Sequence, residues 1–261
     1  MRNGQLVWGV ILLLLGGVLL ANAMGVTLPN GNSLMSLFWP LLLIGLGVWV
    51  LAGVFMRGEV DEEFASVDLQ GASTASLRVN HGAGELRLRS GASSNELVRG
   101  TFAGGLEHKA SRNGDRLDVT MRPARDVMTF PFFGPRFSLD WDVALNPSIP
   151  TDLDFNLGAN KSTIDLRDLN VTGLRFKTGA SDSNITLPAS GRLNADFEIG
   201  AASLTLIVPD GVAIRVRSAI GAGDMSVDRS RFPQDESPDF DTAANTVDIN
   251  IKGGACSVRV K

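Results

Sequence analysis

Two imidazoles, His81 and His108, and one thiol, Cys256, are all the His and Cys the 261-residue chain contains. That inventory leaves no Cys/His cluster for zinc, no intramolecular disulfide and no His-rich catalysis. His81 has no Ser or Cys partner at useful spacing and reads as a polar residue flanking a turn. Cys256 alternates with Val258 and Val260, which marks a small core residue on a strand and not a reactive thiol. Asp152, Asp154, Asp165 and Asp168 could in principle do acid–base work. Their alternation with Leu153, Phe155, Ile164 and Leu166 is instead the pattern of a strand's wet face. Gly82-x-Gly84 does not continue as a dinucleotide or phosphate-loop fingerprint, and no helical pattern follows it. The residues therefore predict no catalytic, cofactor-binding or metal site. A net charge of −4 and a pI near 5.2 also argue against a nucleic-acid partner, since phosphate affinity needs a dense basic surface.

The elements that would carry these residues fall into two chemically different parts. Residues 1–56 hold a single charged side chain, Arg2, and residues 57–261 carry the rest, with a net charge of −5. Two uncharged runs, 6–24 and 37–55, are each long enough to cross a ~30 Å hydrocarbon core as a helix. The polar connector from Gly25 to Ser36, with Pro29-Asn30-Gly31-Asn32, joins them, and Pro40 sits in the first turn of the second span, where its missing N–H breaks no bond. Residues 1–56 therefore read as a transmembrane helical hairpin. A rival reading makes the first span a cleavable signal peptide ending at Ala21-Asn22-Ala23. With Arg2 before the first span, Arg57 after the second and no Lys or Arg between, both ends fall inside the cell. The part beyond the spans is then cytoplasmic under either reading.

Beyond a juxtamembrane linker and first strand at 57–77, the chain repeats itself. Gly158-Ala159, Gly179-Ala180, Gly200-Ala201 and Gly221-Ala222 recur every 21 residues, and Gly254-Ala255 follows 33 residues later, as if one turn carried an insertion. After each corner the same offsets hold Ile164 and Leu166, Ile185 and Leu187, Leu206 and Val208. Period-two alternation inside a fixed period means short strands with one buried face, restarting at a turn where Gly allows positive φ. Such units bury their apolar face only by stacking, which predicts a single-stacked β-solenoid with about 21-residue coils over 141–261. A β-sandwich is the alternative. Residues 78–140 form an N-terminal β section in which Gly82-Ala83 is an imperfect corner. No acidic ladder forms on stacking: one outward offset holds Asp165, Thr186 and Ile207, another Lys161, Asp182 and Ser203. That argues against a polysaccharide-cleaving solenoid.

Three further segments bear on partners. Residues 129–137 place Phe130, Phe132, Phe133 and Phe137 among Pro and Gly, so they form either a partner- or lipid-contacting loop or a loop folded over one end of the stack. Residues 230–244 look like a mobile insertion. Residues 78–136 carry a net charge of +4 and 137–261 one of −5, so the first of these could face an acidic partner or anionic lipid.

Taken in order, the two spans, Gly82-Ala83-Gly84-Glu85-Leu86 with Leu97-Val98-Arg99-Gly100-Thr101-Phe102, the block Trp141-x-Val143-x-Leu145-Asn146-Pro147-x-Ile149-Pro150-x-Asp152-Leu153 and the Gly-Ala coils resemble the LiaF-like cell-envelope response proteins, which carry a toast-rack C-terminal domain. The resemblance implies a non-enzymatic, multi-pass protein of the bacterial inner membrane. It would act by contact, in the better-known members with a sensor histidine kinase that answers cell-wall-active antibiotics. It brings no active-site residues. Two other expectations stand beside it: a scaffold self-associating end to end through an unpaired strand such as Cys256–Val260, and a homo-oligomer.

Overall fold

The computed structural model describes residues 62–124 and 139–261, with Leu20, Pro40 and Leu43–Gly45. The chain divides into two compact units, one built on Met1–Gly58 and the other on the β-rich remainder. The predicted spans lie almost wholly outside the described residues, as do Phe130, Phe132, Phe133 and Phe137. Among the described residues no helix is long and apolar enough to cross a membrane.

The described part of the second unit is all-β. Its strands are β1 (Glu62–Asp68), β2 (Thr74–Ser90), β3 (Glu96–Ala103), β4 (Leu106–Asn113), β5 (Arg116–Pro123), β6 (Trp141–Leu145), β7 (Thr151–Asp165), β8 (Val171–Thr186), β9 (Arg192–Ile199), β10 (Ser203–Ile207), β11 (Ala213–Val227) and β12 (Thr246–Val260). β2, β7, β8, β11 and β12 are long strands bent at a Gly-Ala elbow, while β9 and β10 share one rung broken at Gly200. Burial explains the bend. Along β7 the inward residues are Leu153, Phe155 and Leu157, then Gly158 and Ala159 are both exposed, and Asn160, Ser162 and Ile164 turn inward. Two successive outward residues flip the alternation, so both arms of one strand close on the same core.

The rungs stack in parallel and in register. Leu153 faces Leu174 and Ala159 faces Ala180, and Leu174 faces Ala195, each a step of 21 residues. Phe155, Phe176 and Phe197 form a buried column with ring centroids 6.1 and 6.0 Å apart. On the outer face Arg78, Asp154, Arg175 and Asp196 alternate in sign from rung to rung. Exposed pairs of this kind contribute about 0–1 kcal/mol each. Their main effect is on register, because a shift of one rung would set like charges opposite one another.

A uniform solenoid is not what forms. β3 pairs antiparallel with β1 and β6, and β4 with β5, so the N-terminal section is a mixed sheet joined to the stack through β2, which pairs in parallel with β5, β6 and β7. The rungs are also out of chain order. β12 lies between the β9/β10 rung and β11, which places the Gly254-Ala255 elbow ahead of Gly221-Ala222. Cys256–Val260 thus lies inside the stack, and the outer strand at this end is β11, whose edge, among the described residues, is bridged only at Arg215 by Glu236. Residues 228–245 make the reordering possible by carrying the chain back over β11. They do not stand free: Val216 N–H donates to Asp235 O (2.8 Å), Ser237 Oγ accepts from Ile214 N–H (2.8 Å), and Arg215 pairs with Glu236 and Asp241.

Gly158 and Gly200 are needed for close approach and not for positive φ, since among the elbow residues positive φ occurs only at Gly84 and Gly223. A Cβ built on Gly158 would overlap the carbonyl oxygen of Gly82, and one on Gly200 would sit 2.5 Å from that of Gly179. At Gly221 the nearest atom is 3.6 Å away, an ordinary contact. Gly158→Ala should therefore cost about 1–3 kcal/mol through overpacking against immovable backbone, while Gly221→Ala should stay within about 0.5 kcal/mol. Urea unfolding of the two variants checks this; equal effects would contradict the close-approach account.

Candidate functional site

The elbows stack into a groove of about 1170 Å³ that runs across the rungs and is floored by bare glycines including Gly82, Gly158, Gly200 and Gly254. Its rim comes from the residue two places before each elbow glycine: Asn80, Asn156, Lys177, Glu198, Lys252 and Ala219 lie on successive rungs. Lys177 Nζ lies 2.9 Å from Glu198. Arg122 and Leu139 also line the groove, with Arg122 held by Glu107 at 2.6 Å. Glycines in the floor leave the backbone accessible, and the rim offers amide and charged groups at the ~4.8 Å spacing of neighbouring strands. Such a surface suits an extended partner more than a small reacting substrate.

His81 lies buried at the N-terminal end of this groove. Its Nε2–H donates to Leu139 O at 2.7 Å, and the ring packs 5.0 Å from Trp141, which meets Phe102 edge-on at 5.1 Å. Desolvation holds its pKa below the ordinary 6.5, against the raising effects of the Leu139 bond and the Asp140 charge. The ring is therefore neutral and fixed in one tautomer, and its Nδ1 has no protein partner. Asn160 and Thr178 are also buried with polar atoms lacking a protein partner. Thr178 lies in register between Leu157 and Ile199, and Asn160 between Gly84 and Ser181.

The other residues with potential chemistry are dispersed. Asp154 bridges Arg78 (2.9 Å) and Arg175 (3.9 Å), Asp152 lies 3.7 Å from Arg116, and Asp165 pairs with Arg167. Cys256 is buried on β12, and burial raises its thiol pKa. Of the elbow residues Gly158, Ala159, Gly179, Ala180, Gly200, Ala201, Gly221, Ala222, Gly254 and Ala255, the glycines Gly158, Gly200 and Gly254 line the groove, while Ala159 pairs in register with Ala180 and Ala222 with Ala255. The rim residues were not picked out from the sequence. Their constant offset from the glycines is the signal that could have found them.

Residues 56–207, more than half of the chain, match the N-terminal domain of toast_rack, DUF2154. The chain belongs to the toast-rack family. In this toast-rack protein a second match covers residues 6–51, the LiaI-LiaF-like transmembrane region, so the hydrophobic N-terminus is of a membrane-protein kind. A crystal structure of a cell-adhesion candidate from Clostridium sporogenes ATCC 15579 is similar over 77% of this chain and 99% of its own, with 20% identity and a TM-score of 0.66. An adhesin candidate from Bacteroides fragilis NCTC 9343 overlaps 77% of this chain and 97% of its own at 9% identity and a TM-score of 0.30. The first likeness shows the toast-rack fold. No curated relative matches the chain. The Trp141–Leu153 block has a structural reason within this fold. Trp141, Val143 and Leu145 are buried on β6. Asn146 locks the turn into β7 by donating from Nδ2 to Ser93 O and Glu96 O and accepting Ser148 N–H, at 2.8–2.9 Å.

Proposed function

We propose that this toast-rack protein is a non-enzymatic regulatory module of cell-envelope stress sensing, multi-pass in the bacterial inner membrane. It acts by contact with a membrane sensor histidine kinase. The observation that carries the reading is the joining, in one chain, of a LiaI-LiaF-like membrane region to a toast-rack domain. The elbow groove is the docking surface in this reading, because it presents rim groups at regular spacing over a floor without side chains. Arg2 and Arg57, with no Lys or Arg between the spans, support a two-helix hairpin with the β domain on the cytoplasmic side. A non-catalytic role is supported by the state of the polar groups: Asp152, Asp154 and Asp165 are held by arginines, and His81 is buried with its Nε2–H held by the Leu139 carbonyl.

Contact is tested by placing a photo-crosslinking residue at Lys252, on the groove rim, or at Gln234, which is exposed on the 228–245 segment, in living cells. The reading expects an adduct with the histidine kinase from position 252 and none from 234. No kinase adduct, or the same adduct from both positions, would overturn it.

A further inference from the structure

Among the described residues the exposed large hydrophobic side chains are Leu20, Leu43, Ile44 and Phe64. Three of these belong to the predicted membrane spans. Phe64 alone belongs to the β domain, and at 67% exposure it is the most exposed of the four. It sits on β1, an edge strand paired only with β3, in the first element after the spans.

We infer that Phe64 and the two arginines beside it form a contact with the phospholipid headgroup layer of the membrane that anchors the chain. Phe64 and the arginines line a shallow cleft of about 470 Å³. Arg99 lies 6.0 Å from the Phe64 ring centroid and stays partly exposed while paired with Glu96 at 3.0 Å; Arg89 is likewise exposed while paired with Asp142 at 3.1 Å. An aromatic ring with guanidinium groups at its edge matches the interface, where the ring meets the acyl boundary and the cations meet phosphate. The short tether to the second predicted span keeps lipid within reach and favours it as the occupant. Phe64 lies nine positions after Phe55, the end of the second predicted span, and at most about 3.6 Å per step keeps Phe64 within roughly 32 Å of that boundary. Glu62 and Glu63 on the same strand set the limit of the contact: it engages headgroup phosphates singly and is not a polybasic patch.

The inference rests on the membrane anchoring of the proposed function, so its test must separate the two. In full-length protein with Cys256→Ala, a fluorophore is attached through Ser66→Cys, which shares the Phe64 face of β1, through Leu43→Cys in the second span, or through Gln234→Cys. The protein is reconstituted in vesicles of phosphatidylethanolamine and phosphatidylglycerol containing headgroup-spin-labelled lipid. Quenching is expected at positions 43 and 66 but not at 234, and Phe64→Asp should reduce quenching at 66 to the level seen at 234. Quenching at 43 with none at 66 would overturn the lipid contact and leave the anchoring intact. No quenching at 43 would overturn both. Protection of position 66 from aqueous iodide without lipid quenching would mean that protein covers Phe64, and would also overturn the contact.

Discussion

Ile185→Asp is expected to abolish folding of the β domain. Ile185 has no exposed surface and lies in register between Ile164 and Leu206 on the neighbouring rungs, both of them buried aliphatics. A carboxylate placed there loses its hydration and finds apolar neighbours on either side. The penalty for an uncompensated buried charge is several kcal/mol, and the lost aliphatic burial adds about 2 kcal/mol. Together these approach the whole ~5–15 kcal/mol that holds a typical domain together. Because each rung supports the next, the damage does not stay local. Asn184→Asp, one residue away on the outward side of the same strand, is the control and should stay within about 0.5 kcal/mol. Circular dichroism and limited proteolysis of the full-length protein in detergent distinguish the two. A cooperative native transition surviving in Ile185→Asp would mean that the stacked core is not what stabilises the domain.

What could be read from the sequence was what depends on neighbours along the chain. Alternation at Ile185 and Leu187 or at Leu174 and Phe176 reports a strand's buried face, because side-chain phase is local. The 21-residue recurrence of Gly-Ala sets the step from β7 to β8 and on to β9 and β10. Rung order was not legible. Gly221-Ala222 and Gly254-Ala255 carry the same local signal, and parallel pairing between distant strands is decided by what the 228–245 segment allows. That segment looked mobile because Pro233, Pro238 and its acids are loop-like. Its order comes from contacts invisible locally: Phe232 in the core, and Arg215 reaching Glu236 with its guanidinium 4.1 Å from the Phe240 ring centroid. The elbow glycines were recognised for the wrong reason. Positive φ is a local property, whereas the carbonyl that forbids a Cβ at Gly158 belongs to Gly82, 76 residues earlier. The groove was legible only in part: its floor repeats in the sequence, but Asn80, Asn156, Lys177, Glu198 and Lys252 differ in type and share only their offset.

These structural variants also give the means to test the functional claim in cells. If the toast-rack protein restrains a sensor kinase by contact, its effect on kinase output requires a folded β domain and no chemistry. The most direct measurement is transcription from the kinase's target promoter in unstressed cells carrying the wild-type chain, no chain, or Ile185→Asp. The account predicts a rise in basal output without the chain, the same rise with Ile185→Asp, and return to the low level with the wild type or with Asn184→Asp. Basal output that is unchanged when the chain is deleted, together with an unaltered response to a cell-wall-active antibiotic, would contradict it.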